Sequence, residues 1–290
     1  MTRDTDLRQR FVFPDSDIRG EILRLESSLA PVLQARDYPM QVAGLLGETL
    51  AASALLTGTL KFEGKLSIQA QGSGPVPLLL AEATDLGTLR GLARWRKDEL
   101  GEQQSLPDLL GQGTLAITIM PARGRQYQGL VPLEADSLAG CLEGYFRQSE
   151  QLPTRIWLAC GNGRAAGLML QALPAQTASE EHNRGTWETV TALADTLTLE
   201  ELLDLPVDTV LYRLFHETPP QLPPAQPLQF ACSCSREKVR NALISLGSTE
   251  LQSILDEQGE ARVSCDFCGS EEVFDAVDLG QMVKGPGSDV

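Results

Sequence analysis

Four cysteines near the C-terminus carry the chemistry that spacing alone identifies. Cys232 and Cys234 stand with one residue between them in FACSCSREK, and Cys265 and Cys268 with two between them in VSCDFCG. Thirty residues separate the pairs. Zinc takes four thiolates in a tetrahedron at about 2.3 Å each, and two ligands from each of two short turns meet that geometry at little cost in chain entropy. The set Cys232, Cys234, Cys265 and Cys268 is therefore a candidate tetrathiolate zinc site. C-x-C is the less common half of such a pattern, since most structural sites use C-x-x-C twice.

Two roles for such a metal stay open at this point. One is structural. The tail after Phe230 offers a thin core of Leu243, Ile244, Leu246, Leu251, Ile254, Leu255, Phe267, Val273 and Phe274, and a structural zinc site adds on the order of 10 kcal/mol of folding free energy. The other role is a switch. Zinc keeps its ligands as thiolates, the oxidisable form. An oxidant could join Cys232 to Cys234 and Cys265 to Cys268, expel the metal and remove what folds the tail.

The rest of the chain must position this tail and give it something to control. The first 174 residues read as an α+β domain with a mixed sheet, because strands and helices alternate without a regular βαβ rhythm. Val42, Leu46, Thr49, Leu50 and Ser53 recur at helical spacing in MQVAGLLGETLAASALLTGTL, which is apolar nearly all round and predicts a buried helix. Leu66, Ile68 and Ala70 alternate in KLSIQAQGSG. GTLAITIMP with QYQGLVPL, and TRIWLACG with AAGLMLQALP, read as hairpins around ARGR and GNGR. A helix is expected from Ser137 to Gln148, capped by Ser137.

Composition shifts after Pro174. Residues 175–229 hold nine acids (Glu180, Glu181, Glu188, Asp195, Glu200, Glu201, Asp204, Asp208, Glu217) against Arg184 and Arg213. Trp187, Val190, Leu193, Ala194 and Leu197 share a helical face, Thr198 and Glu201 fit a capping box, and a short helix is expected over Asp208–His216. Helices this short need an apolar surface to dock on. TPPQLPPAQP then reads as a stiff, polyproline-like spacer. The expected fold is thus α+β: a large N-terminal domain over 1–174, a metastable acidic helical linker over 175–229 and a small zinc-binding domain over 230–290.

Several function classes are disfavoured. A net charge of −15 argues against nucleic acid, which needs clustered Lys and Arg. No apolar run reaches the roughly 18 residues of a membrane span, and the charged start MTRDTDLRQRFVF lacks the apolar stretch of a signal peptide. A cytoplasmic protein is expected, where paired cysteines mean metal or redox chemistry rather than permanent staples. No enzyme is expected. GNGR and GSGP lead into no phosphate-binding Lys. His182 and His216 stand apart from any nucleophile pattern, and Cys141 and Cys160 read as buried hydrophobes. A thioredoxin-like context for C-x-x-C is absent, whereas a zinc module that only recruits a protein partner remains an alternative.

FACSCSREKVRNALISLG followed by VSCDFCGSEEVF resembles the redox-regulated 33 kDa chaperonin family of oxidation-activated heat-shock holdases. YPMQVAGLLGETLAASALLTGTLKFEGKLSIQAQGSGP and TLTLEELLDLPVDTVLYRLFHE extend the resemblance over nearly the whole chain. Gly269 follows the last cysteine where the family pattern has Asn, and EEVF lacks an expected Tyr; both lie outside the ligands. The resemblance implies an ATP-independent chaperone that binds unfolding proteins and is idle while reduced and zinc-loaded. It implies activation by the disulfides Cys232–Cys234 and Cys265–Cys268 with zinc release, and an active homodimer. The acidic linker would then act as a lid, its apolar face (Trp187, Leu193, Leu197, Leu202, Leu211, Leu214, Phe215) covering an apolar patch until the zinc module unfolds.

Overall fold

The structure, a computed structural model, describes residues 5–59, 63–102 and 105–284. Leu60 of the apolar segment, and residues 1–4 and 285–290 at the ends of the first and last expected domains, lie outside these. The chain divides into two compact units. One holds Met1–Leu33 and Asp37–Ala231, the other Cys232–Val290 with Gln34–Arg36.

In chain order the first unit comprises β1 (Leu7–Val12), β2 (Ile18–Leu25), α1 (Ala30–Gln34, ending at the division), α2 (Met40–Thr57), β3 (Gly64–Gly72), β4 (Leu78–Thr84) and β5 (Thr88–Arg94). It continues with α3 (Leu106–Leu110), β6 (Gly113–Pro121), β7 (Tyr127–Pro132), α4 (Leu138–Tyr145), β8 (Thr154–Gly161), β9 (Arg164–Ala172), α5 (Glu180–Ala194), α6 (Leu199–Asp204), α7 (Val207–Phe215), β10 (Gln226–Pro227) and β11 (Gln229–Phe230). The second unit holds α8 (Arg236–Ile244), α9 (Ser248–Gln258), β12 (Ala261–Ser264), β13 (Glu271–Phe274) and α10 (Ala276–Lys284).

Two sheets form the first unit, one in the order β10-β1-β2-β9-β8 and the other β11-β5-β4-β3-β6-β7. Both expected hairpins are present, with Ile117 opposite Gly129 in one and Trp157 opposite Leu168 in the other. α2 runs between the sheets, touching β2, β8 and β9 on one side and β3, β4 and β5 on the other. That placement explains a helix that is apolar all round. Among the described residues α2 alone is long and apolar enough to cross a membrane, and 72% of it is buried inside the protein. Gly47 lets it approach β8 closely, because a Cβ there would stand 2.3 Å from Cys160 Sγ. α4 is shorter than the expected helix. Ser137 caps it as anticipated, but after Tyr145 it widens into a π turn over Phe146–Glu150 that Gln151 ends in the left-handed region (φ 55°).

The acidic segment folds as α5, α6 and α7 against the outer face of the first sheet. Val190, Ala194, Leu202, Val210, Leu211, Leu214 and Phe215 are buried together with Phe11, Phe13, Ile18, Ile22, Ala166, Leu168 and Leu170. Ser179 caps α5, and the capping box of Thr198 and Glu201 opens α6 as the sequence indicates. Leu193 departs from expectation. It is 36% exposed and outside this cluster, because α5 rests on the sheet along a narrower stripe through Val190 and Ala194.

The proline-rich stretch is not a free spacer but a strap. Gln221 exchanges backbone hydrogen bonds with Val12 (2.8 and 3.0 Å), β10 pairs with β1, and β11 pairs in parallel with β5. Between them Leu228 is 4% exposed, inside the core shared by the two sheets. Proline is tolerated here because an edge strand needs no donor on its open side.

Candidate metal centre

Both cysteine pairs sit on turns fixed by neighbouring regular elements. Cys232 and Cys234 precede α8, whose N-cap Ser235 accepts the Lys238 backbone N–H. Lys238 Nζ reaches back to Ser233 O at 2.5 Å, folding the C-x-C turn onto its helix. Cys265 and Cys268 lie on the connection of the β12–β13 hairpin. Cys265 N donates to Ser270 O (2.8 Å) and Gly269 N to Cys265 O (2.9 Å), with Gly269 at φ 70°, where a side chain would strain the backbone.

All four sulfurs lie within 4.8 Å of one another. Cys232 Sγ is 3.7 Å from Cys265 Sγ, and Cys234 Sγ is 3.4 Å from Cys268 Sγ. A tetrahedron with metal–sulfur bonds of about 2.3 Å has edges of about 3.8 Å, so the donor set and its spacing fit a tetrathiolate ion. Each of the four cysteines is half-buried. Burial pushes the Cys232 thiol up to about 12. Burial also opposes ionisation of Cys268, but hydrogen bonds from the Ser270 hydroxyl and backbone N–H, and from Cys234 and Cys265, outweigh it and draw that thiol down to about 6.

Ser270 was not among the residues singled out by spacing. Its Oγ stands 3.1 Å from Cys268 Sγ and 3.4 Å from Cys234 Sγ, so it bridges the two turns. Its place two residues after the last cysteine was the available signal, since donors around a metal–sulfur site tune it from just such positions.

The core of this unit is small: Leu243, Leu251, Ala261, Phe274, Leu279 and Met282, flanked by Val239, Ile254, Leu255, Val263 and Val283. Ile244 and Leu246, expected inside, are 38% and 54% exposed, while Phe267 and Val273 are half-buried outside the cluster. Leu279 and Met282 of α10 take their place. Arg236 lies over the Phe274 ring at 4.3 Å and donates to Val273 O at 2.8 Å, closing the unit without adding apolar volume.

The remaining candidates stand apart from the four thiols. Cys141 is buried, and burial raises its thiol above the ordinary range. Cys160 is half-buried against α2 and pushed up to about 12, by burial first and then by the Glu48 carboxylate. Glu48 is an acid that sequence patterning did not single out. It interrupts the apolar run of α2, and burial raises it to about 7. His182 and His216 are exposed on α5 and just beyond α7.

The model of the Hsp33 protein family matches residues 6–275, a span that contains all four clustered cysteines. The 33 kDa chaperonin of Pseudomonas aeruginosa (strain LESB58) is 48% identical over 286 residues, covering 98% of this chain and 96% of that one. The 33 kDa chaperonin of Ectopseudomonas mendocina (strain ymp) is 49% identical over 286 residues, covering 98% and 97%. The crystal structure of the 33 kDa chaperonin (heat shock protein 33 homolog) from Thermotoga maritima shares the fold. Its TM-score is 0.84 over 96% of this chain and 98% of that one, at 23% identity. Near-half identity over almost the full length, with a family match running from β1 through β13, shows that the chain belongs to the Hsp33 protein family of chaperones.

Proposed function

We propose that the protein is an ATP-independent holdase whose four clustered thiolates hold one zinc ion while reduced and release it on oxidation. Cys232, Cys234, Cys265 and Cys268 would hold the ion, which supplies cohesion to the tail rather than chemistry. Oxidation joins Cys232 to Cys234 and Cys265 to Cys268. With hydrogen peroxide as oxidant, each cysteine pair gives up two electrons as its S–S bond forms, one peroxide takes them with two protons and its O–O bond breaks to give two waters, and the two steps leave no thiolate for the metal. The observation that carries this reading is four sulfurs at tetrahedral spacing inside a unit with a core of six buried apolar residues. Such a unit loses its fold with its metal.

The second half of the mechanism lies in α5–α7. Eight acids between Glu180 and Phe215 make this segment favour a solvated chain once it is unsupported, and the apolar sheet face beneath it is where an unfolding protein would be held. Loss of the folded tail shifts the lid toward its open form, and thiol reduction with metal rebinding restores it. Domains at 1–174, 175–229 and 230–290, an active homodimer and a cytoplasmic setting belong to the same proposal.

One titration tests it. Zinc release is followed with a colorimetric chelator during peroxide treatment while light scattering reports aggregation of a heat-unfolded client. Suppression is expected to rise as zinc departs and to vanish after thiol reduction. Full suppression by the reduced, zinc-loaded protein would refute the switch.

A further inference from the structure

The sheet face beneath α5–α7 has a charge pattern as well as an apolar one. Strand alternation directs Ile18, Gly20, Ile22 and Arg24 of β2 to one side, together with Arg164 and Leu168 of β9 and Arg155 and Trp157 of β8. β1 adds Leu7, Gln9 and Phe11. On this side β1, β2, β8 and β9 carry three arginines and no carboxylate.

The segment that covers the face answers with acids. Arg155 Nη2 meets Asp195 Oδ1 at 2.7 Å, and Trp157 Nε1 donates to the same carboxylate at 3.2 Å. Arg164 Nη1 meets Asp204 Oδ1 at 2.7 Å. Arg24 is 9% exposed and donates to the carbonyls of Leu205 (2.5 Å) and Asp204 (3.4 Å) at the end of α6, while its Nε has no partner among the described residues. Among the described residues only two other acids reach these cations, at longer distance: Glu143 to Arg155 (3.4 Å) and Glu26 to Arg164 (3.8 Å). A lifted lid therefore leaves an apolar floor with cations at its rim, and Arg24 without a carboxylate.

We propose that this face is selective: it holds client segments that pair apolar side chains with carboxylates, and α5–α7 is an internal copy of such a segment. The proposal rests on the lid reading above and adds the chemistry of the client. The same residues that close the lid are then the ones that grade its replacements. A client competes by presenting an apolar stripe to Phe11, Ile22 and Leu168 and an acid to Arg155, Arg164 or Arg24. The whole-molecule charge of −15 works the other way, since at long range it attracts basic chains. A preference for acidic segments can thus arise only from the local cations.

The test uses the full chain, peroxide-treated and zinc-free, and two fluorescent peptides of equal length and identical apolar residues. One carries Glu and the other Lys at every remaining position. The acidic peptide is expected to bind about tenfold more tightly at low salt, from two or three partly exposed ion pairs of severalfold each, with the ratio falling toward one at high salt. The double substitution R155Q/R164Q is expected to remove most of that ratio while the lysine peptide binds at least as well as before. Equal affinities, a preference for the lysine peptide, or a preference that survives R155Q/R164Q would overturn the proposal. If neither peptide binds the oxidised protein better than the reduced one, the lid reading itself fails and takes this proposal with it.

Discussion

Replacing Phe215 by Ala tests whether the lid is a separable element. Phe215 is 1% exposed and sits at the end of α7 against the rings of Phe11 in β1 and Phe13 just beyond it. Its centroid lies 5.2 Å from Phe13 in an edge-on arrangement and 5.9 Å from Phe11. Truncating a buried Phe to Ala costs about 3–5 kcal/mol, and at about 1.4 kcal/mol per decade the lower figure raises the open population roughly a hundredfold. Hydrogen exchange on the reduced, zinc-loaded protein reads this directly. Amides of α5, α6 and α7 are expected to exchange about a hundredfold faster, while those of β3, β4 and β6 keep their rates. If β2 and β9 accelerate in step with the helices, lid and sheet unfold as one, and the reasoning is wrong. If the helices alone accelerate and the reduced variant still fails to suppress client aggregation, the uncovered face is not where clients are held.

Three further outcomes follow from the same geometry. Cys234→Ser removes one of four ligands, and the tail is expected to lose both its zinc and its protected amides without denaturant; a folded, zinc-loaded variant would contradict the metal's structural role. Asp17 accepts the Asn183 side-chain amide and then the backbone N–H groups of Gln176, Ala178 and Thr177, and these bonds hold its carboxyl well below the usual range. Its tether is therefore intact at neutral pH and lost only as pH falls far below the ordinary carboxylate range, and Asp17→Ala is expected to open residues 176–183 to protease in the reduced protein at neutral pH. Glu48 carries the opposite sign. Its folded value of about 7 lies above the ordinary 4.5, so the folded state holds the extra proton and stability falls as pH rises between the two. Glu48→Gln is expected to stabilise the protein by up to about 3 kcal/mol at about pH 8 and by almost nothing near pH 4.5, measured by urea unfolding; an equal gain at both pH values would show that desolvation is not the cause.

What the sequence made legible was local. Alternation at Leu66, Ile68 and Ala70, the hairpins around ARGR and GNGR, the Thr198–Glu201 capping box and the two cysteine turns each depend on neighbours a few residues away. What escaped it depends on partners far along the chain. Leu193 fits the helical stripe of α5 but faces outward, because contact with the flat sheet is narrower than the stripe. Ile244 and Leu246 are as apolar as Leu279 and Met282, and only the placement of α10 decides which pair is inside. Nothing local marked Glu48 within its apolar helix, and its shift comes from burial beside Leu106, Leu109, Leu138 and Cys160, which lie far along the chain. The proline-rich stretch was legible as extended backbone. That it lies along two sheet edges was not, since nothing in a short run of Pro and Gln names the strands it meets.

That strap changes what an open lid can be. Gln221, Leu228 and Phe230 fasten the chain downstream of α7, and Asp17 fastens it upstream of α5. Released helices would therefore move as a closed bight with both ends moored, not as a loose tail. Such a bight gains less freedom on leaving than a tail of equal length, and its ends stay in register for the return. Recovery after stress would then need no search by the helices for their seat, only the return of conditions under which they prefer it.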